Sequence, residues 1–493
     1  MEKLNKLIKK LSEQEYQQLV TDVVGKKKDK PYQMLEATRH QSLDDSKMMN
    51  LLETNSSTYY TIKSRLLSKI AVALSKDVYN PISVLMDKVS KAQANLYGNN
   101  KPITIKALLD LEKELIEYDL QDELIVVYKT LARLHLYNES QYRYYQQEYE
   151  KHVAYSLSIG KAEDLFDKFI QQLGLYRLSR TEGDFVVLKR IRREIANISE
   201  LYESHRLFVL SNIMRIYYWC NTPYKTEKLR EKEIDAESIL KEMEVIFCEH
   251  PLDTFYQNIT PLVDFLFFQY YQRINNQVRA DFYYKKINSQ VVELSQKHCM
   301  NFFIVQFLEA KVQKFLSKQS AERSIDKLID LNEGLKNNFE INPEEIYHYA
   351  SYQKFLAICQ FYEGDYRTAA KLINDLRNQI SFKQFTPFEV EIKLFQALQY
   401  NILGEDDLCM QLISSINRQV TPEDKYFKKV KLFVTLLKVV YRTTDFKNKI
   451  NRITALWEEF KTANEHDEEQ FLAFVQLNEH SIRTMANPLK EVD

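Results

Sequence analysis

The chain has 493 residues, 45% of them hydrophobic and 28% charged, with 68 Lys and Arg against 69 Asp and Glu. That apolar content excludes bulk disorder, and a net charge of −1 excludes the uniformly basic surface of a nucleic-acid coat. Only 8 glycines and 10 prolines are present, where an average chain carries about 12% of the two together. Turn-rich sandwiches, barrels and βαβ folds are excluded with them, and the expected fold class is all-α.

Residues 1–78 are read as a small N-terminal helical unit. Ser12 and Glu15 form a capping box ahead of Tyr16, Leu19, Val20 and Val23, and Gly25 ends that helix. Further helices are predicted over 32–40 and 46–53. A fourth is predicted from Asn55 through Tyr59, Ile62, Leu66 and Ile70. Its polar start and the basic residues Lys26, Lys27, Lys28, Lys30, Lys63, Arg65 and Lys69 are the candidate nucleic-acid contacts of a helix-turn-helix variant. The unit holds 14 basic and 10 acidic residues, so a cap or dimerisation role competes with that reading. The opening and the Lys28-Asp-Lys30-x-Tyr32 phrase are similar to the N-termini of a family of uncharacterised bacterial helical-repeat proteins, a resemblance that implies no activity.

Residues 79–460 are predicted to be repeated helices, with residues 461–493 a C-terminal capping helix and tail. Expected breaks are 97–102, 137–140, 221–223, His250-Pro251 and Thr260-Pro261, and the polar stretch 224–235 is either an interdomain joint or the exposed start of one more helix. Further along, Ala369, Leu372, Ile373, Leu376 and Ile380 line one helical face. Forty residues on stand Cys409, Leu412, Ile413, Ile416 and Val420, and Gly364 maps to Gly404. Ile453, Leu456 and Phe460 continue the face, while Lys449 and Arg452 break it. Asn342-Pro-Glu-Glu345, Thr386-Pro-Phe-Glu389 and Thr421-Pro-Glu-Asp424 are read as helix starts, with a capping side chain, Pro at the first position and an acid at the third.

The phrase Tyr362-Glu-Gly364-Asp365-Tyr366-Arg-Thr-Ala369 resembles the turn of the tetratricopeptide repeat, and Thr181-Glu-Gly183-Asp184-Phe185 repeats it. The chain departs from that family in lacking its Trp, Leu-Gly and closing Pro signatures, and its period is nearer 40 than 34. The expected architecture is an α-solenoid of stacked antiparallel helix pairs with a period of about 40. The resemblance implies a concave surface that grips a peptide or protein partner.

No chemistry-bearing motif competes with that expectation. No two glycines lie closer than nine residues apart, so GxGxxG, GxxxxGK[ST] and GxSxG are excluded. Cys248-Glu-His250 and His298-Cys299 are the only residues that suggest a metal or thiol site, and core or loop-edge roles suit them better. The clusters Glu112/Glu114/Glu117 and His466-Asp-Glu-Glu469, and the basic Lys189-Arg-x-Arg-Arg193, read as solvated helix faces. The tyrosines 142, 145 and 149 are core or groove lining. Five cysteines without CxxC spacing fit reduced thiols in the cytoplasm, and no apolar run reaches the ~18–20 residues that cross a bilayer. The expectation is a non-enzymatic cytoplasmic scaffold or adaptor without metal or cofactor, binding a protein or peptide. The alternative is a nucleic-acid-binding regulator with a repeat sensor domain.

Overall fold

In the computed structural model the described residues are 20, 29–40, 45–56, 58–63, 65–66, 81–94, 100–221, 235–251, 253–295, 302–317, 333–335, 339, 341–443, 445–465 and 470–487. Among them there is no strand, and the fold is all-α. The chain divides into two compact units, Met1–Lys91 and Ala92–Asp493.

In the first unit, α1 (Lys30–His40) and α2 (Asp45–Leu51) are followed by helical residues 56, 58–63 and 65–66, and α3 (Pro81–Ala94) begins near its end. Asn55 caps the helix after α2 by accepting from Thr58 N–H (2.8 Å), as its sequence position predicts. Met34, Leu35, Met48, Leu52, Tyr59 and Leu66 are buried. The predicted first helix lies outside the described residues, except for helical Val20.

The second unit starts with α4 (Lys101–Glu117), α5 (Gln121–Leu134), α6 (Glu139–Ser179), α7 (Glu182–Leu201) and α8 (His205–Asn221). It continues through α9 (Ala236–Glu249), α10 (Thr254–Arg273), α11 (Gln277–Asn288), the short α12 (Val291–Leu294) and α13 (Ile304–Ser317). Asn100 and Asn138 cap α4 and α6 at the predicted breaks. The predicted joint at 224–234 lies outside the described residues.

One predicted break is corrected. Helix α10 runs through Pro261 without interruption. Pro261 falls early in the helix, and the carbonyl it deprives of a donor, that of Gln257, belongs to an exposed residue. The helix then carries Leu262, Val263, Phe265, Leu266, Phe267 and Phe268 into the core. That burial outweighs one missing hydrogen bond.

The 40-residue period is present in the helix boundaries themselves. Helices α14 (Ile346–Glu363) and α15 (Tyr366–Gln379) recur as α16 (Thr386–Leu403) and α17 (Asp406–Gln419). Helices α18 (Phe427–Arg442) and α19 (Phe446–Glu465) follow, α19 starting forty residues after α17, and α20 (Glu479–Ala486) is last. Helix α14 packs on α15, α16 on α17, α18 on α19, and α15 on α16. Ala369, Ile373 and Leu376 are buried, as are Cys409, Ile413 and Ile416 and then Ile453 and Phe460.

Gly364 (φ 89°) and Gly404 (φ 74°) are left-handed helix C-caps, a conformation that glycine adopts without steric cost. Asp365 then caps α15 by accepting from Thr368 N–H (3.0 Å), Tyr366 packs on Phe361, and Ala369 is fully buried.

The resembling phrase at 181–185 is built differently. There Thr181 is the N-cap and Gly183 lies inside the first turn of α7, while the left-handed residue is Arg180 (φ 52°). The Pro-containing starts also differ from expectation. Asn342 Oδ1 accepts from Glu344 N–H (3.0 Å) in a turn that precedes α14. Thr421 and Asp424 close a similar turn ahead of α18 (2.7 Å), and α16 is capped at Phe385, with Thr386 already its first residue. At the first and third starts the polar side chains bond within their own turns, and the helices begin three and five residues later than the capping pattern implies, whereas α16 begins one residue earlier.

Candidate functional site

Helices far apart in sequence converge on a cleft of about 700 Å³ in the second unit. Its floor is made by the last turn of α6, where Arg177 projects among α13, α14 and the end of α8. Arg177 donates to Glu309 Oε2 (2.8 Å), to the Tyr347 hydroxyl (3.1 Å) and to Asn221 Oδ1 (2.5 Å). Glu309 is also 3.6 Å from Lys354 Nζ on α14. Burial alone would raise the Glu309 carboxyl, but Lys354 and Arg177 hold it below its ordinary value. The Arg177 guanidinium is kept charged against burial by Tyr347 and Glu309. Side-chain exposures of 26% and 27% place this pair at the border of the cleft, within reach of a ligand.

One wall is polar. Gln269, Gln272 and Arg273 come from α10, and Gln306 and Gln313 from α13. The Arg273 guanidinium stacks over the Trp219 ring at 4.6 Å. The opposite wall carries Lys354, Phe388 and Glu391, with the Lys354 ammonium 5.5 Å from the Phe388 ring centre. Glu391, 3% exposed, is 3.5 Å from Arg180. Four basic and two acidic side chains line the cleft, so its charge is in excess positive.

Helix capping and close packing aim these groups. Arg180 in its left-handed conformation closes α6, its N–H returning to Tyr176 O (2.7 Å). Ser179, Thr181 and Gln172 all bond Asp184, which fixes the turn into α7. Gly174 lets α14 approach α6, because a Cβ there would stand 3.1 Å from the Tyr347 side chain.

The last side of the cleft is the chain's own segment 470–477, with Gln470, Ala473 and Phe474 lining it. Phe471 stacks on Tyr426 (5.7 Å between centroids, 3° between planes) and faces Arg180 (5.9 Å). Phe474 meets Phe395 edge-on (5.0 Å) and lies 5.3 Å from Lys354 Nζ. The backbone of the segment is held as well. Leu472 N–H donates to Glu391 Oε1 (2.8 Å), the Tyr362 hydroxyl donates to Phe474 O (2.9 Å), and Gln476 N–H donates to the Tyr362 hydroxyl (3.0 Å).

Of the sequence-predicted nucleic-acid contacts, the described ones, Lys30, Lys63 and Arg65, belong to the first unit. Lys26, Lys27, Lys28 and Lys69 lie outside the described residues. Lys30 donates to Glu53 O (3.2 Å). Lys63 is paired with Asp45 (2.9 Å) and set against the rings of Tyr59 and Tyr60 at 5.7 and 5.6 Å. Although desolvation would raise Asp45, hydrogen bonds from Tyr59 and Lys63 bring it down to about 2. Arg65 is exposed. Gly364, Asp365, Tyr366, Ala369 and Gly404 serve their repeat turns. Gly183 serves the first turn of α7.

Among the described residues no three His, Cys, Asp or Glu side chains converge as metal ligands. His298 and Cys299 lie outside them. Cys248 is exposed, while His250 is buried and stacks on His205 (4.9 Å, 17°). His205 also bonds the Tyr256 hydroxyl, beside a second cavity of about 530 Å³. Glu112 accepts from the Tyr128 hydroxyl (2.7 Å). Lys189 and Arg192 lie over Phe185 (5.3 Å) and Tyr218 (4.9 Å). Tyr145 is buried, stacking on Tyr128 and His135. Among the described residues no helix is long and apolar enough to cross a membrane.

The sequence reading missed Arg177, Glu309, Lys354 and Glu391. Their signal is a charge inside an otherwise apolar run, as in Val390-Glu-Ile-Lys-Leu-Phe395. Comparison of the chain with family models, curated proteins and solved structures gave no match.

Proposed function

We propose that the protein is a non-enzymatic scaffold or adaptor that holds a peptide or protein segment in the cleft between α6, α10, α13, α14 and α16. The observation that carries this reading is a cleft with one polar wall whose sides already grip an irregular length of polypeptide, through aromatic sockets and through bonds to its backbone. Surfaces that recognise peptides combine these two kinds of contact. The pairs α14/α15, α16/α17 and α18/α19 are read as tetratricopeptide-like antiparallel hairpins stacked as a short solenoid. The four cysteines among the described residues, all free, support a reducing, cytoplasmic setting. The regulator alternative draws no support from Lys30 and Lys63, whose ammonium groups are engaged inside the first unit.

The test is partner capture from native cells, with and without nuclease, using the full chain and the variant Gln272→Glu/Gln313→Glu. Both glutamines are exposed on the polar wall, so the fold tolerates the change. The expected result is a protein partner that survives nuclease and is held at least ~10-fold more weakly by the variant, about 1.4 kcal/mol. Equal capture by both chains would place the binding surface elsewhere. Loss of capture on nuclease treatment would favour the regulator.

A further inference from the structure

The segment 470–477 has the contacts of a bound peptide, which bears on what the cleft takes from outside. Its two aromatic rings, three residues apart, fill separate sockets. One is made by Tyr426 and Arg180, the other by Phe395 and Lys354. Glu391 and Tyr362 read the backbone between and beyond them. These two contacts would be the same for any side chains at those positions, so the selectivity rests in the sockets and in the sites that bury Leu472, Val475 and Leu477.

Leu472, between the two rings, is held at φ 52°. A bulky side chain is rarely found in that left-handed region, and holding it there costs on the order of 1–3 kcal/mol. A free peptide with a less demanding residue at this position would not carry that cost. The sequence immediately before the first ring is Asp467-Glu468-Glu469-Gln470, and the cleft, with the socket residues Arg180 and Lys354 included, is lined by four basic and two acidic side chains. Charge and ring spacing therefore specify one kind of occupant.

We propose that residues 470–477 are a resident competitor, and that the cleft's external partner is an acidic peptide with aromatic residues at positions i and i+3, which displaces this segment from the Tyr426/Arg180 and Phe395/Lys354 sockets. The proposal rests on the peptide-binding reading above and names the partner class for that site. A tethered competitor acts at an effective concentration on the millimolar scale. It lowers the apparent affinity for a free peptide by the fraction of time the sockets stand empty.

The probe is a fluorescein-labelled synthetic peptide of the chain's own residues 466–478, titrated against full-length protein by fluorescence anisotropy. Two variants weaken the resident segment. Phe471→Ala/Phe474→Ala removes its rings. Asn464→Ala removes two bonds to the Phe471 backbone (2.6 and 3.0 Å) that lie outside the sockets. Both variants should bind the probe at least tenfold more tightly than the unaltered chain, and a probe with both phenylalanines replaced by alanine should not bind. In the unaltered chain, excess probe should speed amide hydrogen exchange across 470–477.

If Phe471→Ala/Phe474→Ala fails to fold, Asn464→Ala and the exchange measurement decide. Unchanged affinity in a folded variant, with exchange across 470–477 unaffected by probe, would overturn the proposal. If partner capture is still weakened by Gln272→Glu/Gln313→Glu in that case, the peptide-binding reading stands without it; if capture is indifferent too, both fail. A concentration-dependent dimer abolished by Phe471→Ala/Phe474→Ala would seat the segment on a second copy of the chain, and would also overturn the proposal.

Discussion

Helix α16 is enclosed by its neighbours, and five of its polar side chains are buried: Glu391, Lys393, Gln396, Gln399 and Asn401. Four of them hold the helix to other parts of the chain. Glu391 accepts from Leu472 N–H, Lys393 donates to Gln419 Oε1 (2.8 Å), Gln396 bonds Arg377 (2.7 Å) and Ala370 O (3.2 Å), and Asn401 donates to Leu437 O (3.2 Å). Gln399 differs, being 0% exposed with neither Oε1 nor Nε2 paired. A buried polar group without a partner costs about 1–3 kcal/mol. Gln399→Met keeps the unbranched shape and removes both polar atoms, so it is expected to stabilise the protein by about 1–2 kcal/mol. Urea denaturation should show a higher midpoint with an unchanged slope. A lower midpoint would mean that Gln399 bonds a group through an ordered water.

Two glycines inside α6 give opposite expectations on one helix. A Cβ at Gly160 would meet nothing within 4 Å, so Gly160→Ala should stabilise by about 0.5–1 kcal/mol through helix propensity alone. At Gly174 the Cβ would press on Tyr347, whose hydroxyl is held by Arg177. Gly174→Ala is therefore expected to cost about 1 kcal/mol or more despite the same gain in propensity. Equal gains in melting temperature at both sites would show that Tyr347 moves aside freely. The helices themselves were legible in the sequence because 3.6-residue periodicity, scarce Gly and Pro, and the 40-residue recurrence are local signals. Gly364, Asp365 and Asn138 could be read because a turn or cap depends on a few adjacent residues. Pro261 was misread because its local cost is overridden by packing from elsewhere. The cleft was not legible for the same reason. Glu309 lies 132 residues from Arg177, and Glu391 lies 81 from Leu472, separations at which periodicity says nothing about contact.

Those long separations govern the behaviour of the unit 92–493 as a whole. In a one-dimensional repeat array each element touches only its neighbours, but α6 packs on α14 and α16, and Tyr362 on α14 bonds the segment that follows α19. Histidines desolvated in this unit make stability depend on pH. His135, His152, His205 and His348 all have pKa values below the ordinary 6.5, in each case chiefly because burial disfavours the charged ring. For His205 the neighbouring His250 and Arg206 reinforce the shift while Asp119 and Glu117 oppose it. As pH falls through the ordinary histidine range, the unfolded chain takes up protons that the folded chain refuses. Stability is therefore complete above pH 6.5 and declines below it. Asp264, Glu123 and Glu163 have raised values and act in the opposite sense, but their ordinary values are 3.8 and 4.5. The histidine contribution is thus best read between pH 7.5 and 6. The melting temperature should be lower at pH 6 than at pH 7.5, and His205→Gln should reduce that difference. A melting temperature that rises on acidification across this interval would show that the buried histidines are charged in the folded protein.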